Sequence, residues 1–406
     1  MQNNQPIKRF FLLLRDTWLT IGMTIIFLYL GHYILGAAAY VKNSFEDDSY
    51  TKDTSGGELA NPRAKSPVYE NFPDEFFEEN AKTCVPKGTC SLSTHFEPYY
   101  HWRRNGFVGK FINVSPEGVR LTVKEDIKAG AKKIFMYGGS TLWGSGSPDG
   151  ETIPSILQSM LGADYDVYNF GETGYVAAQE LNYLLYQLSI GDIPDVVIFY
   201  DGVNDAYAGA YSPAIPRDPH ELRAREQEIR ERIEQAWFIR TATEIYELSN
   251  YRRLVGYLRS MFFANTNPHR QWDEQVKKNI KSNSILVLDK YEAHIRQVKA
   301  LSREYGFKVM VFWQPGLFSL TRKMDSYEKS IVERASPVWV ESNQEVYSVA
   351  KDRLVNREHE GVFFLGNIFD EVDESIYIDW CHIGPNGNKI VAKEMFNHIQ
   401  ATLKPE

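Results

Sequence analysis

Ile134–Thr141 reads Ile-Phe-Met-Tyr-Gly-Gly-Ser-Thr, an apolar run that ends in two glycines, a serine and a threonine. A short apolar run bounded by turn-forming residues predicts a buried strand, here over 133–137. Ser140 would then stand just beyond the carboxyl end of that strand. A serine hydroxyl is a useful nucleophile only when a neighbouring base takes its proton. The rest of the chain must therefore supply that base.

Apolar strands alternate with amphipathic helices on the carboxyl-terminal side of this stretch. The pattern predicts strands at 165–170, 195–200, 308–313 and 361–365, and helices at 152–161, 176–189, 288–305 and 388–403. Such alternation is typical of an α/β fold with a parallel sheet and helices on both faces. Ligands bind at the carboxyl ends of the strands in sheets of this kind.

Four polar fragments fall at predicted strand ends or in the loop before the last helix. They are Ser140, 169–174 (Asn-Phe-Gly-Glu-Thr-Gly), 201–205 (Asp-Gly-Val-Asn-Asp) and 379–382 (Asp-Trp-Cys-His). All four would meet at one edge of the sheet. The last fragment holds an aspartate three residues before a histidine, and a carboxylate so placed can orient an imidazole that activates a serine.

These fragments resemble the four blocks of the SGNH (GDSL-type) hydrolases, over residues 132–400 apart from an insertion. The blocks are a Ser in a Gly-Asp-Ser-like turn, a Gly after the second strand, an Asn in Gly-x-Asn-Asp and a terminal Asp-x-x-His. They match Ser140, Gly174, Asn204 and the pair Asp379 and His382, in the family's order.

The resemblance implies a flavodoxin-like three-layer α/β/α sandwich and a set of roles. Ser140 would be the nucleophile, His382 its general base and Asp379 the residue that orients His382. The oxyanion hole would comprise the backbone N–H groups of Ser140 and Gly174 and the side-chain amide of Asn204. No cofactor is predicted.

The chain departs from the family pattern at two positions of the first block. Gly139 replaces the usual Asp, and Thr141 stands where Leu is common. Taken singly, Ser140 could cap a helix, Asn204 could be a turn residue and His382 a loop histidine. Their order on successive strand ends favours a site. Cys381, inside the last block, is interpreted as a small buried residue.

Composition and charge exclude some partners. The 406 residues carry a formal net charge of −8, and no dense basic patch is present that would indicate nucleic-acid binding. Of three cysteines, Cys84 and Cys90 bracket a short loop and could form a disulfide if the chain lies outside the cytoplasm. No Cys/His cluster has metal-ligand spacing, so no metal site is predicted.

Residues 17–41 contain no Asp, Glu, Lys or Arg, and a run of that length can cross a bilayer as a helix. Lys8, Arg9 and Arg15 precede the run, whereas 46–48 is acidic. The positive-inside rule then predicts a cytoplasmic N-terminus and a periplasmic or extracellular remainder. An uncleaved anchor is favoured over a signal peptide cleaved near 37–39, and over the core helix of a soluble protein.

The predicted organisation has five parts. They are a cytoplasmic N-terminus (1–16), the membrane anchor (17–41), a flexible tether (42–75), an N-terminal extension with short strands or loops (76–131), and the hydrolase domain (132–406). Within the last part, 212–284 is a predicted helical insertion, with helices at 221–234 and 240–259. The insertion could be a structural cap or a lid that shapes the substrate site.

The substrate class follows from resemblance alone. Residues 99–102 and 312–315 resemble a bacterial, membrane-anchored branch of these hydrolases associated with cell-surface polysaccharide. That implies removal or transfer of O-acetyl groups on an acylated carbohydrate, alongside polysaccharide synthesis or export proteins. The alternatives are a lipolytic esterase of the lysophospholipase type and a non-catalytic protein that binds or assembles glycans.

Overall fold

The computed structural model of the chain describes residues 5–45, 62–82, 94–211 and 268–403. Contacts divide the chain into two compact units, 1–56 with 226–269 and 57–225 with 270–406. The first unit contains helix α1, Gln5–Phe45, which includes the predicted anchor and extends beyond both of its ends. Within α1, Leu12–Ile34 is long and apolar enough to cross a membrane. The large apolar side chains of this stretch are exposed.

The second unit begins with short elements and continues as alternating strands and helices. In chain order they are α2 (Asp74–Lys82), β1 (Thr94–Glu97), β2 (His101–Arg104), β3 (Phe107–Val108), β4 (Asn113–Val114), β5 (Lys132–Gly138), α3 (Ser140–Trp143), α4 (Ile153–Leu161), β6 (Tyr165–Asn169), α5 (Ala177–Ser189), β7 (Val196–Asp201), α6 (Val203–Tyr211), α7 (Pro268–Tyr305), β8 (Lys308–Trp313), α8 (Ser326–Arg334), α9 (Pro337–Leu354), β9 (Val362–Phe364) and α10 (Pro385–Leu403).

A five-stranded parallel sheet organises this unit, with the order β6-β5-β7-β8-β9. Counted along the chain, these strands follow the order 2-1-3-4-5, which is the flavodoxin-like arrangement. The order reverses at β5, so the crevice beside the carboxyl end of β5 is the topological switch point where such sheets bind ligands. The predicted α/β fold is confirmed.

The two faces of the sheet are buried under different helices, because successive side chains of a strand point to opposite faces. Phe135 and Tyr137 of β5 join a cluster with residues of α5, α7 and α9. Ile134 and Met136 join a second cluster with residues of α4 and α10. Helix, sheet and helix therefore form three layers, with β5 and β7 at the centre.

The N-terminal elements of this unit pack beside the sheet. Residues 62–82, called the strap below, comprise two 3₁₀ turns and α2. Tyr69 and Phe76 of the strap are buried in a third apolar cluster with Trp143 and Ile378. The pairs β1–β2 and β3–β4 are antiparallel, so the predicted short strands before the core are present.

Two predictions are wrong, and two helices were missed. The flexible tether through residue 75 is wrong over 62–75, because this segment packs through buried aromatic side chains. The end of the insertion at 284 falls inside α7, a continuous helix that starts at Pro268. Helices α8 and α9 were not predicted. The predicted helices at 221–234 and 240–259, like Cys84 and Cys90, lie outside the described residues.

Candidate active site

Ser140 lies at the point where β5 turns into α3. Two glycines make this turn: a side chain at Gly138 would place its Cβ 2.3 Å from the Tyr200 carbonyl oxygen, and one at Gly139 would place it 2.4 Å from Asn204 Nδ2. Real Cβ atoms do not approach other atoms this closely. A larger residue at position 139 would therefore require the Asn204 side chain to move.

The structure brings Ser140, His382 and Asp379 together in a hydrogen-bonded chain. Ser140 Oγ lies 2.6 Å from His382 Nε2, and His382 Nδ1 lies 2.7 Å from Asp379 Oδ2. Asp379 holds the ring proton on Nδ1, because a carboxylate accepts and does not donate. Nε2 is then free to accept the serine proton. Ser140 and His382 are only 8% and 7% exposed, so the pair is shielded from bulk water.

The Asp379 carboxylate is fixed by donors on both of its oxygens. Oδ1 accepts the backbone N–H groups of Cys381 at 2.9 Å and of His382 at 2.8 Å. Burial alone would raise the pKa of Asp379, but the charge of Arg63 and the contacts with His382 lower that pKa well below its usual range. The Asp379 carboxyl group is therefore ionised at neutral pH.

Arg63 contacts the triad directly and was not predicted from the sequence. Its Nη2 lies 2.6 Å from Asp379 Oδ2 and 3.2 Å from His382 Nδ1. It belongs to the strap, in the part that was predicted to be a flexible tether. An arginine in a polar stretch, 319 residues before the histidine it contacts, carries no sequence signal of such a contact.

Asn204 stands beside the serine turn, in the first turn of α6. Its Nδ2 donates to the Tyr175 carbonyl at 2.8 Å and lies next to Gly139. The structure thus places the side-chain amide of Asn204, one of the predicted oxyanion donors, beside the turn that carries Ser140. Tyr175 directly follows Gly174, so the same hydrogen bond ties the Asn204 side chain to the loop that carries the predicted donor Gly174.

The loop with Gly174 is held by a buried ionic network from β2. Arg104 donates from Nε to Glu172 Oε1 at 2.9 Å and from its backbone nitrogen to Oε2 at 3.1 Å. Arg103 donates from Nη1 to the Gly171 carbonyl at 3.3 Å. The side chains of Arg103 and Glu172 are 0% exposed. A buried carboxylate needs such partners, and removing one of them typically costs about 3–5 kcal/mol.

Gly174 itself adopts a left-handed conformation with φ of +75°. A residue with a side chain pays about 1–2 kcal/mol for this conformation. The adjacent residues are constrained, since Arg104 Nη2 donates to Thr173 Oγ1 at 2.9 Å and Tyr175 O–H donates to the Trp102 carbonyl. The backbone of Gly174 is therefore held in place by the N-terminal strands as well as by the sheet.

Three acidic residues that interact with one another lie near Asn204: Asp201 and Glu180 are buried, and Asp205 is half-buried. Asp205 accepts the backbone N–H of Ala177 at 3.2 Å, and Asp201 accepts the phenol proton of Tyr291. Burial raises the pKa of Asp201, Asp205 and Glu180, and the charge of Asp201 adds to the rise at Glu180. These carboxyl groups keep protons that exposed carboxyl groups would have lost.

Glu180→Gln is expected to flatten the dependence of stability on pH. The pKa of Glu180 is well above its ordinary value in the folded chain, whereas the unfolded chain releases this proton near pH 4.3. The folded state therefore binds more protons above that pH, and its stability falls as the pH rises. The melting temperature of the wild type should drop between about pH 5 and 8, and that of the variant should drop less.

Glu371→Gln, at an exposed position, is the control for the loss of a single negative charge. Equal slopes of melting temperature against pH for the wild type and Glu180→Gln would contradict the assignment of a retained proton to Glu180.

Asp379, Cys381 and His382 each offer one ligand atom, and these atoms lie within 4.8 Å of one another. The group does not fit a metal ion. Arg63 already supplies a positive charge 2.6 Å from the Asp379 oxygen that a cation would use. Burial and the charge of Asp379 raise the pKa of the Cys381 thiol, which disfavours the thiolate that metals bind. Cys381 is buried, as predicted.

Comparisons with known proteins give distant structural matches. A carbohydrate acetylesterase family member from Sinorhizobium meliloti has 15% identity and a TM-score of 0.35, over 67% of this chain and 99% of its own. The acetylxylan esterase Axe2 from Geobacillus stearothermophilus has 15% identity and a TM-score of 0.32, over 68% and 96%. A lipolytic G-D-S-L family protein from Veillonella parvula has 13% identity and a TM-score of 0.31, over 66% and 97%.

These matched structures are esterases and a G-D-S-L family protein, which is the class that the motifs of this chain resemble. At such identities and TM-scores the likeness carries no conclusion about activity or substrate. No protein-family model and no curated protein matches the chain.

Proposed function

We propose that this chain is a membrane-anchored serine esterase or acyltransferase that acts on O-acyl esters, in the first instance O-acetyl esters, of cell-surface or extracellular polysaccharide. The observation that carries the proposal is the chain of contacts from Ser140 Oγ through His382 to Asp379, with separations of 2.6 Å and 2.7 Å. A binding protein has no need for a serine hydroxyl that points at an oriented imidazole.

In the proposed reaction, Ser140 Oγ attacks the ester carbonyl while His382 Nε2 takes the serine proton. The negative charge that develops on the carbonyl oxygen is stabilised by the backbone N–H groups of Ser140 and Gly174 and by Asn204 Nδ2. Collapse breaks the ester C–O bond, and His382 returns the proton to the leaving alcohol. An acyl-Ser140 remains.

The second half of the reaction decides between hydrolysis and transfer. Water or the hydroxyl of a second sugar attacks the acyl-Ser140, gives its proton to His382 Nε2 and takes the acyl group. Ser140 then regains a proton from His382. The two outcomes differ only in the acceptor, and the same three residues serve both.

A group of aromatic side chains supports a carbohydrate substrate. Trp380 lies between Asp379 and His382 in the chain, and its ring centroid is 4.7 Å from that of Trp339 and 5.6 Å from that of Tyr207. Tyr207 follows Asn204 by three residues in α6, so the two residues share a helix face. Aromatic rings combine an apolar face with a polar edge, which suits a sugar ring.

The N-terminal helix supports an extracytoplasmic location. Leu12–Ile34 is one helical stretch with a mean hydropathy of 1.4, preceded by Lys8 and Arg9 and followed after α1 by acidic residues. An anchor with this charge distribution leaves its positive end in the cytoplasm. The esterase unit would then face the periplasm or the exterior, where acylated polysaccharide is found.

The test compares acyl groups and acceptors, using the full chain in detergent. We expect p-nitrophenyl acetate to be cleaved faster than p-nitrophenyl octanoate, and an acetylated oligosaccharide to lose acetate to water or to an added oligosaccharide acceptor. Preference for octanoate would favour the lipolytic alternative instead. Binding of the oligosaccharide with no turnover of any ester would favour the glycan-binding alternative and contradict the proposal.

A further inference from the structure

The strap touches both loops that carry the triad. Tyr69 O–H donates to the Gly146 carbonyl at 2.6 Å, in the segment that follows the Ser140 helix. Ser66 Oγ donates to the Tyr377 carbonyl at 3.3 Å, just before Asp379. Val68 packs closely on Gly384: a side chain at position 384 would place its Cβ 2.0 Å from Val68 Cγ1. The strap therefore has a fixed position beside Ser140, Asp379 and His382.

The far end of the strap is also fixed. Glu79 accepts the backbone N–H groups of Phe111 and Ile112, each at 2.7 Å, and Phe76 is 1% exposed. Arg63 precedes these anchored residues and is joined to them by the Ser66 backbone N–H, which donates to the Arg63 carbonyl at 2.9 Å. The side chain that the strap presents to the triad is Arg63.

Arg63 shares one carboxylate oxygen with the catalytic histidine. Asp379 Oδ2 accepts from Arg63 Nη2 at 2.6 Å and from His382 Nδ1 at 2.7 Å. The two nitrogens are 3.2 Å apart because they converge on this acceptor, and both are donors. The backbone donors act on Oδ1 alone. His382 Nδ1 also lies 2.9 Å from Oδ1, so Oδ1 keeps its donors without Arg63. Oδ2 would lose its second donor and could then pivot out of line with the imidazole.

We propose that Arg63 is a positioning residue for the triad: it holds Asp379 Oδ2 in line with His382 Nδ1, so that Nε2 stays aimed at Ser140 Oγ. A second effect opposes this one, since the guanidinium also repels the imidazolium that forms when His382 takes the serine proton. The positioning effect dominates, because an imidazole that rotates away from Ser140 loses proton transfer altogether, whereas the Asp379 carboxylate contacts both cations and offsets their repulsion.

The inference builds on the proposed esterase activity, and the first experiment measures that activity. Arg63→Ala in the full chain should lower kcat for p-nitrophenyl acetate roughly ten- to hundredfold, as expected for the loss of one charge-assisted hydrogen bond, with little change in KM. Millimolar guanidinium chloride should restore much of the loss, because it refills the space of the missing group. Lys65→Ala, at an exposed position two residues along the strap, should behave as the wild type.

A second readout needs no ester. A fluorophosphonate probe forms a P–O bond with Ser140 Oγ and loses fluoride, while His382 takes the serine proton, so its rate of labelling reports activation of the serine. Arg63→Ala should be labelled more slowly than the wild type and Lys65→Ala, and guanidinium should restore the rate. A wild type that is labelled but cleaves no ester contradicts the proposed function, and the labelling rates still decide the role of Arg63.

Two results would overturn the role of Arg63. One is an unchanged kcat and labelling rate in Arg63→Ala. The other is a loss that guanidinium does not restore and that accompanies a lower melting temperature, which would make Arg63 a structural contact of the strap only.

Discussion

Ser140→Ala is expected to reduce the turnover of p-nitrophenyl acetate by at least about 10⁴-fold, to a level set by the remaining oxyanion donors and substrate binding. The change removes only Oγ, the atom that lies 2.6 Å from His382 Nε2. Alanine is a good helix former and keeps the backbone N–H at the start of α3. The melting temperature should therefore change little, and the loss should appear in kcat.

The neighbouring Ser145→Ala is the matched control for this experiment. Ser145 lies just beyond the end of α3 and donates its backbone N–H to the Ser140 carbonyl at 3.0 Å, which alanine would also do. It should retain wild-type turnover, and the fluorophosphonate probe should label it and fail to label Ser140→Ala. Activity of Ser140→Ala near that of the control would contradict a serine mechanism.

Asn204→Ala is expected to have the second largest effect, a loss of about 10²–10³ in kcat with a smaller change in KM. The negative charge on the substrate oxygen exists only during the reaction, so a donor aimed at it stabilises the transition state more than the bound substrate. Asn204→Asp has nearly the same shape but presents an acceptor in place of Nδ2. It should lose at least as much activity as the alanine variant.

The melting temperature separates this role of Asn204 from a structural one. Nδ2 also donates to the Tyr175 carbonyl at 2.8 Å, so the substitution removes a hydrogen bond as well as an oxyanion donor. If kcat falls while the melting temperature of Asn204→Ala stays within a few degrees of the wild type, the oxyanion role stands. A raised KM with an unchanged kcat would contradict it.

Much of the site could be predicted because parallel strands end at one edge of a sheet. Ser140 and Asn204 follow β5 and β7, which are neighbours in register, so strand positions alone placed them side by side. The offset of three residues between Asp379 and His382 is local and was sufficient to predict their contact. The fold could be predicted because apolar runs such as residues 196–200 mark the buried strands directly in the sequence.

The parts that were missed depend on contacts between distant segments. Arg63 meets His382 across 319 residues, and nothing in its local sequence distinguishes it from a surface arginine. Arg103 and Arg104 lie in a polar strand whose buried partner, Glu172, is far along the chain. Charged residues are usually placed on the surface in sequence reasoning, and only the tertiary structure shows which are buried in pairs.

The missed helices have a different cause. In α9 the buried positions include Asn343, Val346, Tyr347, Ala350 and Leu354, which follow helical spacing. Polar residues among them weaken the apolar stripe that periodicity detects. The early start of α7 was missed for a similar reason, because its first turns are rich in charged and polar residues and resemble the insertion before them.

The buried network of Arg103, Arg104 and Glu172 bears on how much of the chain must stay together for the four motifs to keep their positions. The loop that presents Gly174 takes its shape from β2, and the triad carboxylate takes a partner from the strap. A gene fusion or duplication that copied the sheet alone, from residue 132 onward, would carry the four motifs without the residues that hold two of them in place. A part of the chain that keeps these contacts therefore needs residues 62–131 in addition to the sheet.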